Sequence, residues 1–314
     1  MPSCDSAGAC DAQIAAPATS TALRGVRVVP RLPDISFADT DVPRLWHSGS
    51  AGITAFWNAL TIAGPPIESF FLRDARRLAP LVKSPALRRE FADFMRQEAF
   101  HSLIHQRTHR LYEHWGIPVA ALDSFVRRVL GWVERVSTTK LRSAMVVAGE
   151  HFLGELGNQG LTNPALLADA DPRMARLLLW HFYEEVEHKA VYFDAFVDSY
   201  GNTASTYLHR VAGLLFVIGV LGIMLPILTV RLLRVEGAAS RGSEWRRLGR
   251  HLFGSGGLWG GRARSILAFL SPRFHPWSYR DDSRYLVLRS DLVQPEWAEA
   301  ARRGEAQPPE NPAN

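Results

Sequence analysis

Cysteine is almost absent from this chain of 314 residues, which contains only Cys4 and Cys10, both in an N-terminal stretch rich in alanine and serine. Two cysteines are too few for a secreted fold that is held together by disulfides, so that class is excluded. A small local disulfide or a soft metal site stays open, but a pair of cysteines in a flexible tail is the simpler interpretation. The first residues lack a basic stretch followed by an apolar run. We therefore expect no secretory signal and a cytoplasmic enzyme.

Motifs of nucleic-acid-binding folds are also missing, including the cysteine and histidine spacing of zinc fingers. The net charge is only +5, from 36 basic and 31 acidic residues, and the arginines concentrate between Arg231 and Arg289. A local basic region of this kind suits anionic lipid headgroups better than sequence-specific reading of DNA. The sequence thus predicts no nucleic-acid partner and leaves a membrane surface as one partner.

No alternating strand pattern competes with the helical periodicity of the chain. Apolar residues make up 47% of the sequence, enough for a large core. Pro65–Pro66 predicts the start of one helix, and Ser84–Trp115 a second. Ala121–Gly160 predicts a third, with a break near Ser137–Thr139, and a fourth follows Asp171–Pro172 as far as Tyr200. Four helices with short to moderate connections indicate an all-α bundle.

Two copies of the pattern Glu-x-x-His occur on these helices, and each follows an isolated glutamate in an apolar helix. One copy alone arises easily by chance. Residues three apart share a helix face, so each copy offers a carboxylate and an imidazole on one side. Two such helices and one glutamate from each of two others build the dinuclear site of ferritin-like bundles. The candidate ligands are Glu68, Glu98, His101, Glu150, Glu185 and His188.

Three further residues compete for places in this site. His181 precedes Glu185 by four residues and therefore lies on the same helix face, which makes it a candidate seventh ligand. His105 stands in the same relation to His101, but we interpret it as a hydrogen-bond partner. Glu155 competes with Glu150, which we prefer. A bundle with half-buried Glu–His and Glu–Arg pairs is the interpretation without a metal.

At these residues the chain resembles the family of predicted metal-dependent hydrolases, over roughly Val42 to Trp277. The likeness lies in Arg96–His101, Gly149–Phe152, Glu185–His188 and the sequence Phe-His-Pro-Trp that ends at Trp277. Over the bundle core, the ligand pattern is also similar to that of the diiron arylamine N-oxygenases. That second resemblance implies His181-x-x-x-Glu185-x-x-His188 as part of a seven-ligand set, two iron ions and activation of O₂.

The segment Val211–Val230 carries no charged side chain and is long enough to cross a bilayer. It is either a transmembrane helix, a helix in one leaflet, or a helix buried against the bundle. We divide the chain into a flexible tail (1–40), a ferritin-like metal-binding bundle (41–205), the long apolar helix (206–235) and an extension rich in Arg, Gly and Trp (236–314).

The function expected from these features is that of a non-heme diiron oxygenase, which uses iron and O₂ to oxidise a small organic substrate. Oxidation of an amine is one option. Such an enzyme needs an electron donor, a reductase or a ferredoxin, and a homodimer is left open as its assembly. One alternative is a dinuclear metal-dependent hydrolase, with other divalent metals in place of iron. A ferroxidase-like or iron-storing protein and a membrane-bound helical protein without catalysis are the others.

Overall fold

The computed structural model describes residues 19–33, 37, 42–260 and 263–293. Cys4, Cys10, most of the predicted tail and the end of the C-terminal extension lie outside these ranges. Within them the chain is helical and forms no strand, although His47 and Ala170 make an isolated antiparallel bridge. The all-α prediction is therefore confirmed, whereas the ferritin-like description remains a resemblance.

The α-helices are α1 (Ala51–Leu78), α2 (Pro85–His114), α3 (Val119–Val136), α4 (Thr139–Thr162), α5 (Pro172–His188), α6 (Val191–Tyr200), α7 (Ala204–Val235), α8 (Gly242–Phe253), α9 (Ala263–Ala268), α10 (Pro276–Tyr279) and α11 (Ser283–Leu288). Short 3₁₀ helices cover Ala22–Arg24, Ala79–Leu81, Pro164–Leu166 and Ser290–Leu292.

Polar side chains at the N-caps explain where the site-bearing helices begin. Ser84 accepts a hydrogen bond from the amide of Leu87 at the start of α2, and Thr138 accepts one from Leu141 at the start of α4. Asp171 caps α5 directly before Pro172. Each cap satisfies a backbone N–H that has no partner inside its helix.

The prediction that a helix starts at Pro65–Pro66 is wrong, because both prolines lie in the interior of α1. Proline has no N–H to donate to the carbonyl four residues earlier, which leaves the carbonyl of Thr61 without its helical partner. The Nε2 of His109 on α2 donates to that carbonyl at 3.2 Å. A tertiary contact thus supplies what proline removes, and the helix continues through to Leu78.

The remaining helix boundaries follow the sequence with one exception. The predicted break near Ser137–Thr139 is confirmed, since it separates α3 from α4. The predicted fourth helix is interrupted at Lys189–Ala190, which divides it into α5 and α6. The Lys189 ammonium is buried there and binds Asp282 at 2.7 Å, so a contact with the distant C-terminal segment accompanies the interruption.

The packing pairs α1 with α2 and α4 with α5, and α1 also contacts α4. Helix α4 approaches α5 closely because Gly157 has no side chain: a Cβ there would lie 2.7 Å from the carbonyl oxygen of Phe182. Helix α7 packs lengthwise against α4 and α1. The space enclosed by α1, α2, α4 and α5 holds the polar cluster described next.

Candidate metal centre

Four helices contribute the predicted ligands, and the structure brings all seven together in the bundle interior. Glu68 lies on α1, Glu98 and His101 on α2, and Glu150 on α4. Helix α5 contributes His181, Glu185 and His188. Six of the seven are buried, and His181 is nearly so.

The first half of the cluster is centred on the Nε2 atom of His188. This nitrogen lies 3.4 Å from Glu98 Oε1, 3.4 Å from Glu150 Oε2 and 3.3 Å from Glu185 Oε2. Ligand atoms that share one metal at ~2.1 Å are separated from each other by about 3.0–3.5 Å. The four side chains therefore have the spacing of one metal's ligand set.

The second half of the cluster is built around the other oxygen of Glu185. Its Oε1 lies 2.7 Å from His181 Nε2 and 3.4 Å from His101 Nδ1. Glu68 adjoins this group, with its Oε1 3.4 Å from His105 Nε2. The two oxygens of Glu185 face different groups, so this carboxylate could contact two metal ions at once.

The competing residues are now placed. His181 points into the cluster, with its Nε2 2.7 Å from Glu185 Oε1. His105 also reaches it, because its Nε2 lies 3.0 Å from His181 Nδ1 as well as near Glu68. The structure thus places His105 both as a hydrogen-bond partner of His181 and within ligand distance. Glu155 lies outside the cluster and pairs with Arg280.

Several buried polar atoms in the cluster have no hydrogen-bond partner among the described residues. They include both carboxylate oxygens of Glu98 and of Glu150, Glu68 Oε2 and His101 Nδ1. A buried carboxylate without a partner costs several kcal/mol, so such groups need a compensating charge. Divalent cations bound between these atoms would provide that charge, and the residues present therefore fit a dinuclear metal centre.

The electrostatics of the cluster support the same interpretation. Burial, together with the neighbouring carboxylates, raises the pKa of Glu68 and of Glu98 well above the usual range. Burial raises the pKa of Glu150 to about 7. Burial also acts to raise the pKa of Glu185, but His188 and His181 outweigh it and lower that pKa. Crowded carboxylates that resist ionisation are ready to exchange protons for a cation.

Behind the ligands lies a buried hydrogen-bonded chain that the sequence did not predict. His101 Nε2 contacts Glu184 at 3.0 Å, and His188 Nδ1 donates to Gln97 Oε1 at 3.0 Å. Both contacts leave the opposite ring nitrogen, the one that faces the cluster, free to bind a metal. Gln97 in turn donates to Glu187 at 2.6 Å.

Arg31 joins the two ends of this chain. Its guanidinium donates to Glu184 at 2.9 Å and to Glu187 at 2.8 Å, with the arginine side chain fully buried. Arg31 belongs to an extended segment before the bundle, so no helical periodicity connects it to the site. The sequence does contain one indication of such a partner. Helix α5 carries two acids besides the predicted ligand Glu185, namely Glu184 and Glu187, and burying both requires a nearby cation.

An apolar cavity of about 150 Å³ adjoins the second half of the cluster. Glu68, His105, His181 and Glu185 form its polar end. Aromatic and aliphatic side chains from α1, α3, α4, α5 and α7 form most of the remaining wall, among them the Phe70, Phe152 and Phe182 side chains. Two aromatics that flank the ligands in the sequence, Phe100 and Tyr183, do not line this cavity.

Comparison with known proteins gives one match. The family model described as "predicted metal-dependent hydrolase" matches residues 29–280, about four fifths of the chain. Neither the curated proteins nor the solved structures give a match. The likeness to arylamine N-oxygenases therefore rests on the ligand pattern alone. A metal centre of this composition agrees with the family description, and the chain belongs to the family of predicted metal-dependent hydrolases.

Proposed function

We propose that this protein is a dinuclear-metal enzyme that acts on an apolar substrate, and that hydrolysis is the reaction its family favours. One observation carries the proposal. Carboxylate oxygens and imidazole nitrogens that are buried and lack hydrogen-bond partners among the described residues cluster at the end of an apolar cavity. When bound, paired metals supply a water of lowered pKa and polarise the bond that is cleaved.

The side chains have separable roles in this proposal. Glu185 faces both halves of the cluster. Glu98 Oε1 lies 3.4 Å from His188 Nε2 and 3.7 Å from His101 Nδ1, so both carboxylates would neutralise bound cations. Glu184 and Gln97 fix the ring orientation of His101 and His188 through their outer nitrogens. The aromatic wall excludes bulk water and selects an apolar substrate.

Activation of O₂ is the second candidate, and one observation favours it. Imidazole and carboxylate together are the ligands of oxygen-activating iron, and three imidazoles approach one half of this cluster. The adjoining cavity is apolar and suits both O₂ and a substrate to be oxidised. In that case the protein needs an external electron donor.

The first experiment measures metal content and ligand identity. The purified protein is stripped with a chelator, reloaded with Fe²⁺, Mn²⁺ or Zn²⁺, and analysed by elemental analysis and calorimetry. We expect close to two ions per chain for the native protein and a large loss in Glu98→Gln and Glu185→Gln. Glu134→Gln is the matched control, because Glu134 forms a surface pair with Arg73. Unchanged metal content in both site variants would refute the metal centre.

The second experiment separates the two reactions. Each loaded form is tested anaerobically against a panel of apolar esters and amides, and the ferrous form is then mixed with O₂ and a reductant. Cleavage without O₂ supports the hydrolase. O₂ uptake that is lost in Glu98→Gln supports the oxygenase and overturns hydrolysis. If the loaded protein does neither, the proposal of an enzyme fails.

A further inference from the structure

The outer face of α7 is apolar and uncovered in the described part of the chain. Leu215 and Ile223 are 62% and 66% exposed, and Leu208 and Ile218 are exposed beside them. Their spacing of three, five and seven residues places them on one side of the helix. This stripe is long and continuous, unlike the scattered apolar residues of an ordinary protein surface.

The inner face of the same helix packs against the bundle, which argues against a transmembrane orientation, although the helix is long and apolar enough for one. Leu214, Met224 and Leu228 are buried in the bundle core. At Gly213 the helix comes so close to α4 that a Cβ would lie 2.6 Å from the backbone of Ala144. A span surrounded by lipid would require all of these contacts to break. Only the outer face of α7 is therefore accessible to a partner or a membrane surface.

The neighbouring helix α3 adds an aromatic and basic border to this stripe. Trp132 is 53% exposed and stacks on Phe216 of α7. Arg128 and Arg135 lie on the same face of α3, one helical turn to either side of Trp132, and both are exposed. Arg231 of α7 contacts the ring of Phe125, which fixes the two helices side by side. Tryptophan between arginines beside an aliphatic stripe is the composition of a membrane interface.

The cavity beside the metal cluster runs along the inner side of α7. Val217, Val220 and Leu221 of α7 line it from one side, and Leu60 and Ile67 of α1 line it from the other. All five are only half buried, so the cavity approaches the surface along the seam between α1 and α7. An apolar chain that left a bilayer under α7 would meet the metal cluster at the inner end of this cavity.

We propose that the stripe on α7 and the border on α3 dock the protein on an anionic lipid bilayer, and that the α1–α7 seam admits an acyl chain from it. The docking part is independent of the proposed function. The acyl-chain part rests on that function, because it names the substrate class of the same site. The two parts are therefore tested by separate measurements.

Docking is measured by sedimentation with vesicles of phosphatidylcholine, with and without phosphatidylglycerol. We expect the native protein to bind the anionic vesicles and Leu215→Ser/Ile223→Ser to bind at least roughly tenfold more weakly. Arg128→Gln and Arg135→Gln should each weaken binding to anionic vesicles by roughly fivefold and leave binding to neutral ones unchanged. Leu23→Ser/Leu288→Ser is the matched control, because these leucines are 74% and 72% exposed elsewhere.

Two results would overturn the docking proposal. One is the absence of binding to anionic vesicles by the native protein. The other is a native dimer, seen by analytical ultracentrifugation, that Leu215→Ser/Ile223→Ser converts to a monomer, since the stripe would then be covered by a second copy. Unchanged melting temperatures of the serine variants establish that they are folded.

Access of an acyl chain is measured by calorimetry with decanoic acid and the metal-loaded protein. Val220→Trp fills the seam without touching the stripe, so we expect it to abolish binding of decanoic acid and to leave vesicle binding intact. Equal binding of decanoic acid by the native protein and Val220→Trp would overturn the route. Vesicle sedimentation and calorimetry with decanoic acid do not measure turnover. Their results therefore test docking and acyl-chain access even if the chain does not catalyse hydrolysis.

Discussion

Replacement of Arg31 by methionine tests whether the buried chain behind the ligands holds the metal centre in place. Arg31 donates three hydrogen bonds of 2.8–3.0 Å to Glu184 and Glu187. The substitution keeps a long apolar side chain but leaves two buried carboxylates without their cation. Breaking a buried ion pair in this way costs about 3–5 kcal/mol. For a chain of this size we expect a fall in melting temperature of roughly 6–20 °C.

The same change is expected to weaken metal binding. Burial raises the pKa of Glu184 to about 8 even though the neighbouring Arg31 guanidinium lowers it, so loss of that guanidinium raises this pKa further and increases the protonated fraction of Glu184. A protonated Glu184 no longer fixes His101 as a metal ligand. Loss of such outer contacts typically costs 10–100-fold in metal affinity. Thermal denaturation of the metal-free protein and calorimetric metal titration measure the two effects.

Arg44→Met is the matched control, because the pair of Arg44 with Glu236 is partly exposed and contributes about 1 kcal/mol or less. A second control combines Arg31→Met with Glu184→Gln and Glu187→Gln, which removes all three buried charges. We expect this triple variant to regain most of the lost stability. Equal melting temperatures and equal metal affinities of Arg31→Met and Arg44→Met would refute a role for Arg31 in holding the metal centre.

Two further predictions concern pH and helix packing. Because the pKa of Glu150 is about 7 in the folded chain and lower when unfolded, the folded metal-free protein binds more protons, and its stability should fall as pH rises from about 4.5 to 7. Glu150→Gln should remove about 3 kcal/mol of that fall. Melting temperatures measured at pH 5 and pH 7.5 test this, and an equal decrease in the native protein and in Glu150→Gln would contradict it. Gly213→Ala should lower the free energy of unfolding by about 1–3 kcal/mol through its clash with Ala144. Gly219→Ala, in open space on the same helix, should raise it by up to about 1 kcal/mol, and equal denaturation midpoints for the two variants would contradict the close approach.

The sequence alone predicts the positions of the candidate ligands on α2 and α5 best. Helical spacing alone places Glu98 with His101, and Glu185 with His188, on common faces. Apolar flanks predict that these faces are buried, and the structure brings them to 3.3–3.7 Å of each other. Helix caps at Ser84 and Asp171 are local as well, so the start of each of these helices was readable.

Contacts between distant segments decided the rest. Only the fold brings Arg31 between Glu184 and Glu187, because a charge pair more than 150 residues apart leaves no periodic trace. The passage of α1 through Pro65–Pro66 likewise depends on a donor from another helix. Whether the apolar segment of α7 crosses a membrane or lies on the bundle was undecidable from composition, since both structures need the same residues. The tertiary structure adds that one face of this helix packs against the bundle at Ala144, while most of its apolar residues stay at least partly exposed.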